Sequence, residues 1–342
     1  LIWLTLITSL STSTVITMSS NHWLIAWLGL ELNTLSIIPI IMKSHHPRAT
    51  EAATKYFLIQ ATAATMIMLA CIMNAWQTGQ WSITHTTQTM TLLTTSAIML
   101  KLGIAPTYLW YPQVLQGTTM YTALLISTWQ KIAPLALLYM THQHLNHTIL
   151  LTLGLTSAMI GGWGGLNQTQ TRMIMAFSSI AHMGWLITAM TISPALTTLT
   201  MTTYMIMTIA TFIPLTTLTT KTITDTGTTW PLSPPTLTTT MITLMSLGGL
   251  PPLTGFMPKW LILKELSSTG LMLLATTILL SSLPSLFFYI RMAYLTMLAT
   301  PPTTTNTEYS WRFKLQQSTT TAMMIMLSMS LLPLTTTLYT TT

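Results

Sequence analysis

The chain has 342 residues, of which 50% are strictly apolar and only 5% charged, with a formal net charge of +7. A soluble domain carries about 25% charged residues, so there is too little polar surface here to keep the chain in water, and a soluble globular protein is excluded. The basic residues stand singly rather than in runs or stripes, which excludes a nucleic-acid surface; the lone Cys71 excludes disulfides, zinc ribbons and cysteine-ligated iron–sulfur clusters within the chain.

A helix crosses the hydrocarbon core with roughly 20 apolar residues, and the sequence predicts eleven such spans, with no charged leader before them; lacking an initiator Met, it is expected to start a few residues into the natural product. Threonine is abundant within them, and its hydroxyl is expected to bond back to the i−4 carbonyl. Spans 1–19 and 23–42 come first, the second carrying Glu31 in "GLELN" near its middle. Lys43 and Arg48 precede span 50–75, whose Glu51 and Lys55 form an i,i+4 pair near the loop end, read as a surface pair. Span 88–116 is too long for one straight crossing and contains "KLGIAPTYLWYPQ" at 101–113. Span 119–140 places Lys131 twelve residues inside, a depth of about 18 Å that snorkelling does not easily relieve. His142, His144 and His147 fall in the next loop with no cysteine or carboxylate beside them, a pattern of interfacial solvation rather than metal binding.

Span 149–166 ends in "GGWGG" at 161–165, suited to close helix contact. Arg172 opens span 172–192, which holds His182 midway, and span 196–219 leads to Lys221 in a Thr- and Pro-rich connecting stretch, 216–240. Span 237–267 is again too long and contains "LGGLPPLTGFMPK" at 247–259, with Lys264 and Glu265 near its end. Span 270–297, a connecting loop at 300–307, Arg312 with Lys314, and span 318–339 complete the chain. This count places Lys43, Arg48, Arg172, Lys221, Arg312 and Lys314 on one side of the membrane, so the basic side and the N-terminus coincide.

The two overlong spans carry the same punctuation at an offset of 146: Gly103, Pro106, Pro112 and Trp110 against Gly249, Pro252, Pro258 and Phe256. Proline cannot donate to the helix ladder and glycine relaxes the backbone, so both spans are predicted to be broken helices. Five spans separate the copies, an odd number that turns the second upside down, the pattern of inverted-repeat transporters. Irregular backbone at membrane depth is tolerated only where it is buried in protein or lines a hydrated cavity. The predicted fold is therefore an all-α polytopic membrane protein of about eleven helices, two of them broken, in a single transmembrane domain over 1–342. Its inverted halves run roughly over 1–140 and 149–297, plus a final helix at 318–339.

Four ionisable residues lie near span centres: Glu31, Lys101, Lys131 and Lys259. At about 2.5–3.5 kcal/mol each, four such charges cost on the order of 10–14 kcal/mol, comparable to the whole stability of a protein, about 5–15 kcal/mol. Three lysines cannot all pair with one acid, and burial disfavours the charged form of an amine, so these groups can lose and regain a proton. A separation of about 8 Å between Glu31 and Lys101 would couple them by about 2 kcal/mol at an effective dielectric near 20. His182 adds a side chain that titrates near neutrality.

Together with these residues, "WLGLELN", "HPRATEAATKYFL", "KLGIAP", "TWQKIAP", "GGWGGLNQTQTR", "FSSIAHMGW" and "SLGGLPPLTGFMPKW" follow one another in an order that resembles, nearly end to end, the chain 2 family of NADH–ubiquinone oxidoreductase, antiporter-like membrane subunits of mitochondrial respiratory complex I. The resemblance implies an eleven-span subunit of the mitochondrial inner membrane, with its N-terminus and basic loops on the matrix side, contributing to proton translocation driven by electron transfer from NADH to ubiquinone. The scarcity of Val and Asp beside 27 Met residues is in keeping with an animal mitochondrial genome. By position, Glu31 and Lys101 match the family's coupling pair, Lys131 its connecting lysine and Lys259 the lysine of the second broken helix, with His182 on the same polar axis. No cofactor is expected in this chain: NADH, FMN, iron–sulfur clusters and ubiquinone would be held by partner subunits of the membrane arm and beyond. Inner-membrane lipids are expected partners, and nucleic acid is not. Tyr108 and Gln113 stand where the family usually has His and Glu, which puts any relay through those two groups in doubt. Two other readings are an autonomous cation/proton antiporter, disfavoured by the shortage of carboxylates, and a structural scaffold without its own proton route.

Overall fold

The computed structural model describes residues 2–228, 234–298 and 319–334, and every regular element among them is helical. In chain order these are α1 (Ile2–Ser19), α2 (Trp23–Met42), α3 (Pro47–Thr78), α4 (Gln88–Leu102), α5 (Trp110–Gly117), α6 (Met120–Ser127), α7 (Trp129–Met140), α8 (His147–Gly165), α9 (Thr171–Ile192), α10 (Pro194–Thr217), α11 (Ile223–Thr228), α12 (Pro234–Gly248), α13 (Phe256–Ser268), α14 (Met272–Leu298) and α15 (Thr319–Ser330). Among the described residues, eight stretches are long and apolar enough to cross a membrane. The two overlong spans are split into α4/α5 and α12/α13, as their Gly and Pro residues predict. Arg312, Lys314, the loop at 300–307 and the end of the last predicted span, 335–339, lie outside the described residues. The chain forms two compact units, Leu1–Leu153 and Gly154–Thr342.

Three local features differ from expectation. Buried hydroxyls bond mostly to the i−3 carbonyl rather than i−4, as with Ser13 to Leu10 at 2.9 Å and Thr17 to Thr14 at 2.8 Å. Span 119–140 is not one smooth helix: α6 and α7 meet at Thr128, whose φ/ψ of −111°/−74° departs from the helical well. There the Leu124 carbonyl accepts from the Thr128 N–H at 3.0 Å, the Thr128 Oγ1 at 2.7 Å and the Ser127 Oγ at 3.0 Å. Hydroxyls that compete for a backbone acceptor bend helices, and Pro134 further on has no N–H to return. The connecting stretch 216–240 contains the short α11, nucleated by a reciprocal cap. The Thr222 Oγ1 accepts from the Asp225 N–H at 3.3 Å while the Asp225 carboxylate accepts from the Thr222 N–H at 2.8 Å.

In the first unit α1 and α2 pack closely through Gly29, where a Cβ would lie 2.5 Å from the Thr17 Cγ2. The residue before α2 bridges the α3–α4 loop: His22 pairs with Ser82, with Trp23 N–H to Trp81 O at 3.0 Å and Ile83 N–H to Asn21 O at 3.2 Å. Lys43 lies over the Trp3 ring at 4.2 Å, so the α2–α3 turn and the start of α1 share one end.

The second unit repeats this plan: α8, α9 and α10 take the places of α1, α2 and α3, the broken pair α12/α13 that of α4/α5, and α14 that of α6 and α7, while the short α11 has no counterpart among the described elements of the first unit. The bridge recurs between Gln170, before α9, and Thr222, in the loop after α10. Thr171 N–H bonds to Lys221 O at 3.1 Å and Ile223 N–H to Thr169 O at 3.0 Å. Arg172 and Lys221 are thereby held at one end of this unit. The "GGWGG" stretch serves two neighbours at once. A Cβ at Gly161 would strike the Ala181 backbone of α9 at 2.5 Å, and one at Gly165 the Phe288 ring of α14 at 2.7 Å, while Trp163 between them is exposed. Arg291, near the end of α14, donates to the Leu166 carbonyl just beyond α8 at 2.7 Å. Trp185, Leu196, Ile262, Leu266 and Ile278 join α9, α10, α13 and α14 in one apolar core.

Candidate functional site

The two breaks are the same piece of backbone. α4 ends on Gly103 at φ +69°, with Gly103 N–H to Leu100 O at 3.3 Å and Ile104 N–H to Met99 O at 3.1 Å. α12 ends on Gly249 at φ +82°, with Gly249 N–H to Ser246 O at 3.0 Å and Leu250 N–H to Met245 O at 3.4 Å. Each is a Schellman cap, which needs a left-handed residue and so selects glycine. The next turn also repeats at the offset of 146, Thr107 N–H to Ile104 O at 2.9 Å against Leu253 N–H to Leu250 O at 2.9 Å. The shared punctuation in the sequence is thus a shared hydrogen-bond pattern.

The remaining carbonyls of the two ends are met by different chemistry. In the first unit the Gln60 amide of α3 donates to the Lys101 carbonyl at 3.3 Å. In the second, the Lys259 amine turns back from α13 and donates to the Gly248 carbonyl at 2.9 Å, where the negative end of a helix favours a cation. A neutral amide at the first break leaves the Lys101 amine itself without a hydrogen bond to protein, buried at 6% exposure.

Lys101 and Lys131, the latter 3% exposed, line one cavity of about 20 Å³ together with Asn33, Tyr56, Gln60, Trp110, Tyr111 and Gln130. That volume accommodates about one water. The Lys131 Nζ stands 4.9 Å from the centre of the Tyr111 ring, a cation–π distance. A neutral chain spans the wall: the Tyr56 hydroxyl donates to the Gln130 Oε1 at 3.4 Å, and the Gln130 Nε2 donates to the Asn33 Oδ1 at 3.1 Å. Glu31 stands on α2 between Leu30 and Asn33, which both line the cavity, and its Oε2 is buried without a hydrogen bond to protein. Glu31 and Lys101 form no direct ion pair; the ion pair found among the described residues is the exposed Glu51–Lys55 at 2.6 Å.

The structure therefore brings Glu31, Lys101 and Lys131 together in the first unit. His182 and Lys259 belong to the second, on α9 and α13. The half-buried His182 ring lies 5.6 Å from that of Tyr204 on α10. Tyr108 is half-buried and Gln113 exposed, and neither lines the cavity. Sequence reading missed Asn33, Tyr56, Gln60 and Gln130. The signal was present, since Tyr56 and Gln60 are an i,i+4 polar pair in an apolar span and Gln130 adjoins Lys131.

Residues 20–285 match the family model described as NADH:quinone oxidoreductase/Mrp antiporter, and residues 286–339 match that of the NADH dehydrogenase subunit 2 C-terminus. The NADH-ubiquinone oxidoreductase chain 2 of Carassius auratus is 50% identical over 332 residues, covering 96% of this chain and 95% of that one. The protein of the same name from Xenopus laevis is 50% identical over 314 residues, covering 92% and 91%. Among solved structures, a chain of respiratory complex I from Thermus thermophilus with bound aureothin superposes with a TM-score of 0.78 at 22% identity, covering 96% of this chain and 78% of that one. A chain of an archaeal membrane-bound sulfane sulfur reductase gives 0.83 at 15% identity, covering 98% and 73%. These two likenesses carry the fold; the matched models and the half-identical relatives carry the family, and the chain belongs to the NADH–ubiquinone oxidoreductase chain 2 family.

Proposed function

We propose that this chain is a membrane-arm subunit of respiratory complex I that relays protons through the cavity shared by Lys101 and Lys131, in step with electron transfer from NADH to ubiquinone. The observation that carries this reading is the meeting of two buried amines, from different helices, on one polar cavity with room for water. The Lys101 ammonium releases a proton to cavity water, and that water passes one to the Lys131 amine. Glu31 biases the first of these amines by its charge. The neutral Tyr56–Gln130–Asn33 chain orients the walls without taking up the proton. Lys259 and His182 extend the relay in the second unit.

Family membership supports the other complex I subunits as partners. NADH, FMN, iron–sulfur clusters and ubiquinone are assigned to those partners, and the chain to the mitochondrial inner membrane with its basic loops on the matrix side. Lipids of that membrane complete its surroundings.

Lys101→Met and Lys131→Met, made in the assembled complex, test the reading. Each keeps an unbranched side chain one atom shorter and removes the exchangeable proton. With assembly verified, both variants are expected to lose tenfold or more of coupled proton pumping, an effect in the range of a positioned proton-transfer group, ~10²–10⁴-fold. Pumping at the parent rate in both would leave a scaffold role instead.

A further inference from the structure

The second break is attached to α15. The Thr254 hydroxyl, 1% exposed, donates to the Ser328 carbonyl of α15 at 2.6 Å. Ser328 is fully buried and lies in the last turn of α15, where helix carbonyls have no partner within their own helix. α15 packs against α10 and α12 and follows α14, the last element with a counterpart in the first unit. At the offset of 146, Thr254 corresponds to the half-buried Tyr108, and its neighbour Gly255 to Leu109, which is 64% exposed. Gly255, by contrast, is pressed against the Ser246 carbonyl of α12 and lies where a Cβ would come within 3.0 Å of the Met207 sulfur of α10. The turn from Gly249 to Gly255 is thus held at one end by the Lys259 amine on Gly248 and at the other by Thr254 on α15.

We propose that Thr254 is a positioning residue: anchored on the Ser328 carbonyl, it fixes the 249–255 turn and thereby the place of the Lys259 amine at the end of α12. α15 then acts as a strap on the second break. A turn with both ends tied cannot move without carrying Lys259 off its carbonyl. The consequence for pumping rests on the proton role proposed for Lys259, whereas the hold on the turn does not.

Three variants in the assembled complex separate these claims. Thr254→Val keeps the shape and removes the donor; amide hydrogen exchange at residues 250–256 is expected to quicken about tenfold, the scale set by one lost buried hydrogen bond. Its pH profile of coupled pumping is expected to move by about half a unit, while Thr254→Ser, which keeps the donor, leaves both readouts at parent values. Lys259→Met reports on the underlying reading: normal pumping there removes the proton role of Lys259, and the strap is then judged on exchange alone. Unchanged exchange in Thr254→Val overturns the strap. Faster exchange with an unmoved pH profile, while Lys259→Met is impaired, overturns the positioning of Lys259.

Discussion

Gly103 and Gly249 show how much can rest on a missing side chain. At Gly103 a Cβ would come within 3.0 Å of the Tyr111 Cβ, a rigid neighbour fixed by its own helix, whereas at Gly249 it would meet the flexible end of Lys259 at 2.9 Å. Both positions also need a left-handed backbone, which costs a non-glycine residue about 1 kcal/mol or more. Gly103→Ala is therefore expected to destabilise the first unit by about 2–3 kcal/mol, and Gly249→Ala by about 1 kcal/mol. Thermal inactivation of the assembled complex should rank them in that order; equal stabilities would mean that Tyr111 gives way more easily than its burial indicates. These glycines were legible in the sequence because their role is a backbone one. Asn33, Tyr56, Gln60 and Gln130 were only half legible: the Tyr56/Gln60 spacing and the place of Gln130 beside Lys131 are visible in the sequence, but only the fold reveals that all four face one cavity.

Among the elements, α11 gives the clearest dependence on pH. Hydrogen bonds from the Thr222 backbone and side chain, ahead of the smaller influence of Lys221, hold the Asp225 carboxyl below the usual carboxylate range. A depressed folded value stabilises α11 above the unfolded value of about 3.9, and the contribution is lost as pH falls through the folded value. Amide protection at 222–226, measured against the intrinsic exchange rate at each pH, is expected to be high at neutral pH and to fall below about pH 4. In Asp225→Asn the protection should be lower at neutral pH and flat across that range; a parent-like acid response in the variant would place the titrating group elsewhere. The pattern Thr222-x-x-Asp225 is a helix-start signal that the sequence carries openly, yet Thr, Pro and Gly around it pointed to a loop. The bend at Thr128 was hidden for the opposite reason: no Gly or Pro marks it, and competition by two hydroxyls for one carbonyl emerges only in three dimensions.

At the scale of the whole molecule, one plan of three helices, a broken helix and a closing span is used twice, with the same bridge, the same glycine caps and the same turn after each cap. Composition and apolar run length made the spans legible, and the Gly–Pro spacing made the breaks legible, because both are governed by the cost of an unsatisfied backbone in lipid. What differs between the units is chemistry. The first caps its broken helix with an amide and leaves two lysines on one cavity; the second caps with a lysine and adds α15. Buried amines of this kind are expensive in a membrane, and proton transfer between them requires a hydrated contact. The most direct measurement is a density map of the assembled complex at a resolution that resolves ordered water around Lys101 and Lys131. At least one water hydrogen-bonded between the walls of that cavity is the expected result, and a cavity that is dry in every state of the working cycle would contradict a proton relay between the two lysines.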